Sequence, residues 1–192
     1  MFVVNLSGRR LTLTPPTVAD VDTIARLCRD ESVGRWTTMP VPYERADAVA
    51  FVTRMVPTGW ADRSPTWALR LDPDGPVAGM IGLRALDESA AEIGFWQGAA
   101  ARGRGLMTEA AQLVCDFAFR ADTLALERIE WRAFVGNTAS AAVARRVGFR
   151  FEGVARRGGL QRGLRRDMWV AGLLAGDSRS PVPGGWESVL PY

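Results

Sequence analysis

Alternating apolar runs and helical-period apolar runs take turns along this chain. Leu11–Thr14 alternates and stops at Pro15-Pro16, which predicts a first strand. Thr17 and Asp20 form a capping-type start for a helix reaching about Cys28. Residues 31–44 carry Gly34, Trp36, Pro40, Pro42 and Tyr43 and read as an aromatic-rich loop. Glu44–Met55 is a second helical pattern, with Val49, Val52 and Met55 on one face. Thr66–Leu71 and Val77–Leu86 read as strands joined by a turn at Asp72-Pro73-Asp74-Gly75, and Ala91–Gln97 as another strand. A helix from about Gly105 to Phe119 buries Leu106, Ala110, Leu113, Val114 and Phe117. Arg128–Phe134 is a strand, Thr138–Val147 a helix, and Phe149–Ala155 and Met168–Leu174 the last strands. Residues 177–192 are rich in Pro, Gly and Ser, with Trp186, Leu190 and Tyr192 as candidate anchors.

These elements predict an α/β (α+β) fold: one mixed sheet of about six to seven strands flanked by about four helices. A domain over 1–176 followed by a tail over 177–192 accounts for the 192 residues, and no repeat or linker divides them. No apolar run approaches the ~20 residues of a membrane span, and no signal-like segment opens the chain. The expectation is a cytoplasmic protein that does not engage a membrane.

Composition removes several chemistries. There is no histidine, and all 24 basic residues are arginine. Ser-His-Asp and Cys-His catalysis, a lysine Schiff base and a phosphate-loop lysine are excluded, and a zinc site has few ligands to draw on. Cys28 and Cys115 sit far apart in apolar helical patterns and read as buried free thiols. A net charge of +3 is too small to argue for nucleic acid. Residues 145–166, however, hold Arg145, Arg146, Arg150, Arg156, Arg157, Arg162, Arg165 and Arg166 against Glu152. Such a field suits a polyanionic small molecule or an acidic partner, or is a solvated basic face.

One loop carries a chemical signal. Residues 91–109 read A-E-I-G-F-W-Q-G-A-A-A-R-G-R-G-L-M-T-E: a strand ends, Gly103 and Gly105 follow, and a helix begins. A helix start presents unpaired N–H groups and the positive end of its dipole, and glycines admit a phosphate to the backbone. A Walker loop needs G-x-x-x-x-G-K-S/T, which is absent. A Rossmann fingerprint needs glycine where Thr108 stands. The remaining pattern is Q/R-x-x-G-x-G/A, the coenzyme A diphosphate loop of GNAT acyltransferases. Gly103 and Gly105 match it and Ala100 does not.

Three further segments strengthen that resemblance. N-T-A-S-A-A-V-A-R-R-V-G-F at 137–149 is similar to the N-x-x-S-x-x-x-x-x-x-x-G-F stretch of the RimJ/RimL-like branch of the GNAT superfamily. R-R-L-T-L-T-P-P-T-V-A-D at 9–20 and D-M-W-V-A-G-L-L at 167–174 resemble the same branch. The resemblance implies a strongly twisted sheet in which the strands near 91–97 and 128–134 run parallel and splay apart. It implies acetyl-CoA as co-substrate, its pantetheine arm paired with the backbone of Phe95, Trp96 and Gln97. The diphosphate would rest on the amides of Arg102, Gly103, Arg104, Gly105, Leu106 and Met107, with Asn137 orienting the coenzyme.

The implied reaction is direct acyl transfer to a primary amine, either a protein N-terminal α-amine or a small-molecule amine. Such a transfer needs a base, an oxyanion donor and help for the departing thiolate. Glu92 is the expected base, on one strand face with Gly94 and Trp96; a structural salt bridge is the alternative, and Asp87 and Glu88 are backups. The N–H of Phe95 or Trp96 is the expected oxyanion donor. Many relatives protonate the thiolate with a tyrosine where this chain has Ala144, so Ser140 stands in for it. Ser140 and Asn137 also suit capping of the following helix. Trp36 and Tyr43 are expected in the acceptor site, where an aromatic wall could hold an amine; core packing or a homodimer contact would use the same residues. A non-catalytic acyl-CoA sensor on the same fold, and succinyl-CoA as donor with the arginine-rich region partly serving its carboxylate, remain open.

Overall fold

The computed structural model describes residues 3–181, 184–187 and 189. Eight strands form one sheet in the order β1-β2-β3-β4-β5-β6-β8-β7. They are β1 (Leu6–Ser7), β2 (Thr12–Thr14), β3 (Thr66–Arg70), β4 (Gly79–Ala85), β5 (Ala90–Gln97), β6 (Arg128–Phe134), β7 (Arg150–Gln161) and β8 (Leu164–Leu174). Every pairing is antiparallel except β5 with β6. That parallel ladder runs only from Ala90↔Arg128 to Ile93↔Trp131, so the two strands part company at Gly94.

Strand alternation gives the sheet two apolar faces. Leu13, Trp67, Leu69, Ile81, Ile93, Ile129, Trp131 and Leu173 are buried under α5 (Leu106–Phe119) and α6 (Thr138–Val147). Ala68 and Met80 face the other way, under α1 (Val21–Cys28) and α3 (Arg45–Ala50). In α1 the buried residues Val21, Ile24, Ala25 and Cys28 follow the i, i+3, i+4, i+7 spacing of one helical stripe. Between the layers lies a satisfied ion pair: Arg70 donates to Asp20 (2.7 Å), Thr14 Oγ1 and Gly75 O. Both cysteines are buried free thiols, and burial pushes the Cys28 thiol up to about 12.

The strands and helices of residues 90–147 follow the sequence pattern closely; elsewhere the structure adds to it. The 31–44 loop contains α2 (Glu31–Trp36), started by Asp30, whose carboxylate accepts from the Ser32 N–H at 2.9 Å. The second helix does not end at Met55. A π-helical stretch, Phe51–Met55, follows α3 and leads into α4 (Val56–Ala61), with Pro57 in the first turn of α4. Proline lacks the N–H that a regular ladder would use, and the wider turn absorbs that break. The buried face therefore passes from Val52 to Val56 and Trp60, and Met55 points outward, 65% exposed.

The last two strands are far longer than their apolar cores. They extend to a two-residue turn at Arg162-Gly163, both with positive φ. A bulge between Ala155 and Gly159 takes up extra residues, and Asp167 accepts from the Arg157 N–H at 2.7 Å to hold it. Of the tail anchors, Trp186 is buried against Trp131 and Phe151 and donates to Phe149 O. Leu190 and Tyr192 lie outside the described residues.

Candidate active site

Where β5 and β6 separate, two connected clefts open. The larger, about 410 Å³, lies on the α1/α3 face, with Arg84, Glu92, Gly94, Thr38, Met39 and Phe51 among its lining. The smaller, about 200 Å³, reaches toward α5 and α6 through Gln97, Arg102, Met107, Ala139 and Val143. Both are lined by Trp36, Thr37, Phe95, Trp96, Asn137 and Ser140, so these residues surround the junction. Gly82 and Gly94 pair across β4 and β5, leaving the cleft floor without side chains at that step.

On the α5 side, the loop leaves several backbone donors free. Gly103 and Gly105 adopt left-handed φ of 73° and 71°, and a Cβ placed at Gly103 would meet no atom within 4 Å. Among the described residues, the N–H groups of Gly103, Arg104 and Gly105 find no protein acceptor. The first N–H groups of α5, from Leu106 onward, are unpaired by helix geometry. Leu106 and Met107 bury their side chains, so they can offer only backbone donors here. Arg10 fixes the loop from behind, donating to Arg104 O at 2.8 Å and to Glu109 at 2.7 Å. Arg102 donates to Gln97 O at 2.9 Å, and the Gln97 amide returns a bond to Ala101 O. The Gln97 carbonyl is thus already engaged, whereas β5 beyond Ile93 has no partner strand on its β6 side.

Glu92 faces the larger cleft and is bound to Arg84 on the neighbouring strand at 2.6 Å. The ion pair given as the alternative reading is therefore present, and the carboxylate also lines the cleft. Asp87 and Glu88 lie in the turn before β5 and line neither cleft. Asp87 caps that turn; bonds from the Ser89 backbone, above all, lower its carboxyl.

At the start of α6, Asn137 accepts from the Ser140 N–H at 3.3 Å, which is the cap anticipated for it. The Ser140 hydroxyl oxygen accepts from the Trp131 indole at 3.0 Å. Ala144, where the family resemblance implies a tyrosine, is buried. Gly148 ends the helix in a left-handed conformation, directly against the backbone of Ser178 and Ser180.

The two aromatic candidates separate. Trp36 stands at the junction of the clefts, its ring covered by Arg35 at 5.0 Å and Arg166 at 5.9 Å. Tyr43 is buried in the core between α1 and α3 and lines neither cleft. Several lining residues carry no sequence signal: Arg84, Arg132, Met168 and the Thr37–Met39 stretch. Nor does Gln161, at the hairpin tip that grips α2. Gln161 donates to Arg35 O and Thr37 O at 2.9 and 2.7 Å, and Arg162 to Gly34 O and Met39 O. Arg166 in turn donates to the Gln161 side-chain oxygen Oε1 at 2.6 Å. Part of the basic 145–166 segment is thus structural; Arg150 likewise pairs with Asp177. A separate hollow of about 720 Å³ lies beside Val4–Leu6, but its arginines are already bonded, Arg63 to Leu124 O and Arg120 to Asp122.

Comparison with known proteins agrees with this geometry. Residues 10–150 match the family described as Acetyltransferase (GNAT) domain. YdaF of Bacillus subtilis strain 168, which carries the name of a ribosomal N-acetyltransferase, is 40% identical over 103 residues, 53% of this chain and 55% of that protein. The chain thus aligns with about half the length of this relative. The RimL ribosomal L7/L12 alpha-N-protein acetyltransferase superposes with a TM-score of 0.79 at 20% identity, covering 91% of this chain and 96% of RimL. The Microcin C7 self immunity acetyltransferase MccE, solved with acetyl-CoA and AMP, superposes with a TM-score of 0.78 at 21% identity, covering 87% and 93%. The likeness to these two is one of fold. Among the described residues no helix is long and apolar enough to cross a membrane. With the family matched over most of its length and the splayed β5–β6 pair in place, the chain belongs to the GNAT family of acetyltransferases.

Proposed function

We propose that this protein is an acetyl-CoA-dependent N-acetyltransferase whose acceptor is a primary amine, first of all a protein N-terminal α-amine. The observation that carries the reading is the meeting of two clefts at the β5–β6 splay. One borders Arg102 and Met107, which flank the free amides of residues 103–105, and the other holds Glu92. Acetyl-CoA supplies an acyl group activated as a thioester. The amides of Gly103 to Met107 bind its diphosphate, the Arg102 N–H expected with them being spent on Ala99 O at 3.2 Å, and Met107, Ala139 and Val143 border the arm. Glu92 takes the amine proton, directly or through water. The backbone N–H of Phe95 steadies the carbonyl oxygen as charge builds on it, that of Trp96 being turned to Met80 on β4. Ser140 donates a hydrogen bond to the sulfur as the C–S bond breaks. The names of YdaF and RimL make ribosomal-protein N-termini the first acceptors to try.

The test combines binding and turnover. Acetyl-CoA should raise the melting temperature, since it binds the folded state alone. Free thiol should then appear with some member of a panel of N-terminal peptides and small amines. A panel repeated with succinyl-CoA tests the donor. Absence of any thermal shift at millimolar acetyl-CoA refutes the reading; a shift without turnover on any acceptor refutes the enzymatic part of it.

A further inference from the structure

Ser140 is a weak acid, and its usefulness to a departing thiolate depends on where its one proton points. A serine hydroxyl has one donor and two acceptor sites, whereas a tryptophan indole can only donate. The Trp131 Nε1–H lies 3.0 Å from Ser140 Oγ, so the oxygen must be the acceptor in that bond. One lone pair is thereby occupied, and the hydroxyl proton is left for another partner. Among the described residues no protein acceptor takes it, and Ser140 borders both clefts at their junction.

The indole itself has little freedom. Trp131 is 1% exposed on β6, its pairing with Ile93 being the last rung before the splay. The buried Trp186 packs on it at 5.7 Å, tied in turn to Phe149 O. A rigid donor behind Oγ does two things. It aims the proton toward the cleft, and it stabilises the negative charge that Oγ acquires as its proton is drawn to sulfur. Hydrogen bonds in such a chain reinforce one another in a low-dielectric setting.

We infer that Trp131 is a positioning residue for the leaving-group step, holding Ser140 with its proton directed at the coenzyme sulfur; this rests on the reading of Ser140 proposed above. In the step, the amine nitrogen forms the new C–N bond and the C–S bond breaks. The amine proton passes to Glu92, and the electron pair of the broken bond stays on sulfur, which takes a proton from Oγ. Oγ recovers one from water, and the proton that Glu92 releases to solvent neutralises the hydroxide left behind. The overall balance is thioester plus amine giving amide plus thiol. No oxidant or further reactant enters.

The experiment is a double-mutant cycle on the full chain, with turnover and acetyl-CoA affinity measured on the same preparations. Trp131→Phe removes the N–H. Benzothienylalanine at position 131 removes it while keeping the ring shape, which covers the case that phenylalanine leaves an unstable core. Loss of one hydrogen bond to a charging oxygen should lower kcat roughly 3- to 10-fold. Ser140→Ala should lower it roughly 10- to 100-fold, with acetyl-CoA affinity unchanged in all variants. In the Ser140→Ala background, replacing Trp131 should then cost nothing more, because the group it positions is gone. An equal loss in both backgrounds means that Trp131 acts through packing, and overturns the inference. If Ser140→Ala is slow but both Trp131 replacements match the wild type, the role of Ser140 stands and that of Trp131 falls. If Ser140→Ala is itself silent, both fall.

Discussion

Gly103→Ala separates a phosphate loop from an ordinary turn, because this structure makes the two consequences independent. At φ of 73° a residue with a Cβ is strained by about 1–2 kcal/mol. For a chain of this size that lowers the melting temperature by roughly 2–8 °C. The added methyl meets no protein atom within 4 Å, so no clash adds to the strain. The space it enters is where a diphosphate would approach the amides of residues 103–105. Losing one charge-assisted hydrogen bond there, about 1.5–3 kcal/mol, weakens coenzyme binding roughly 10- to 100-fold. Gly163→Ala is the control: its φ is 83°, its Cβ also meets nothing, and it sits at the hairpin tip and lines neither cleft. Calorimetric titration with acetyl-CoA, alongside thermal unfolding, reads both quantities. Both variants should melt earlier, and only Gly103→Ala should bind acetyl-CoA weakly. Wild-type affinity in Gly103→Ala, with the thermal penalty present, would show that the loop merely starts a helix.

Glu92→Gln should lower turnover roughly 10²–10⁴-fold, the span of general-base catalysis, with little change in acetyl-CoA affinity; a wild-type rate would leave Glu92 only its bond to Arg84. Arg70→Met strands the buried Asp20 carboxylate and should cost about 3–5 kcal/mol of stability in urea unfolding; a loss below about 1 kcal/mol would contradict the burial of that pair. Glu152 is held below the usual glutamate range by its bonds to Arg128, against the desolvation that opposes them. A carboxyl lowered in the folded state adds stability at higher pH, lost as pH falls through that lowered value. Glu152→Gln should therefore flatten the acid limb of the melting-temperature profile, and an unchanged limb would refute the linkage.

Much of this was legible in the residues themselves, where the relevant physics is local. Asn137 starts α6 by capping chemistry, and Gly103 and Gly105 mark the loop before α5. Where the deciding interaction is distant in sequence, the pattern fell silent. The two-residue β1 has too little periodicity to register. The hairpin β7–β8 runs through Gly158-Gly159 and a string of arginines that resembles a loop. Gly159 is there because Met168 and Phe134 leave no room for a side chain. The bond of Glu92 to Arg84 depends on strand register, and that of Ser140 to Trp131 on a helix packing over a strand. Gln161 reaches residues more than a hundred positions away, which no spacing rule anticipates. The outward Met55 follows from a π turn that a regular helical period cannot represent.

The two clefts approach their junction from opposite faces of the sheet, and this bears on the order of events in a catalytic cycle. A site with a single mouth forces one reactant to wait for the other. In the function proposed above, the cleft bordering α5 and α6 takes the coenzyme and the one bordering Met39, Phe51 and Arg84 takes the acceptor, and the two share only the junction. Neither reactant needs to cross the other's path, and no histidine-activated nucleophile is present to carry the acyl group between visits. Both reactants should therefore be bound together before either product leaves. Double-reciprocal plots of rate against one reactant, at several levels of the other, should converge; a parallel family would mean that the acyl group is parked on the protein and that the two mouths serve some other traffic.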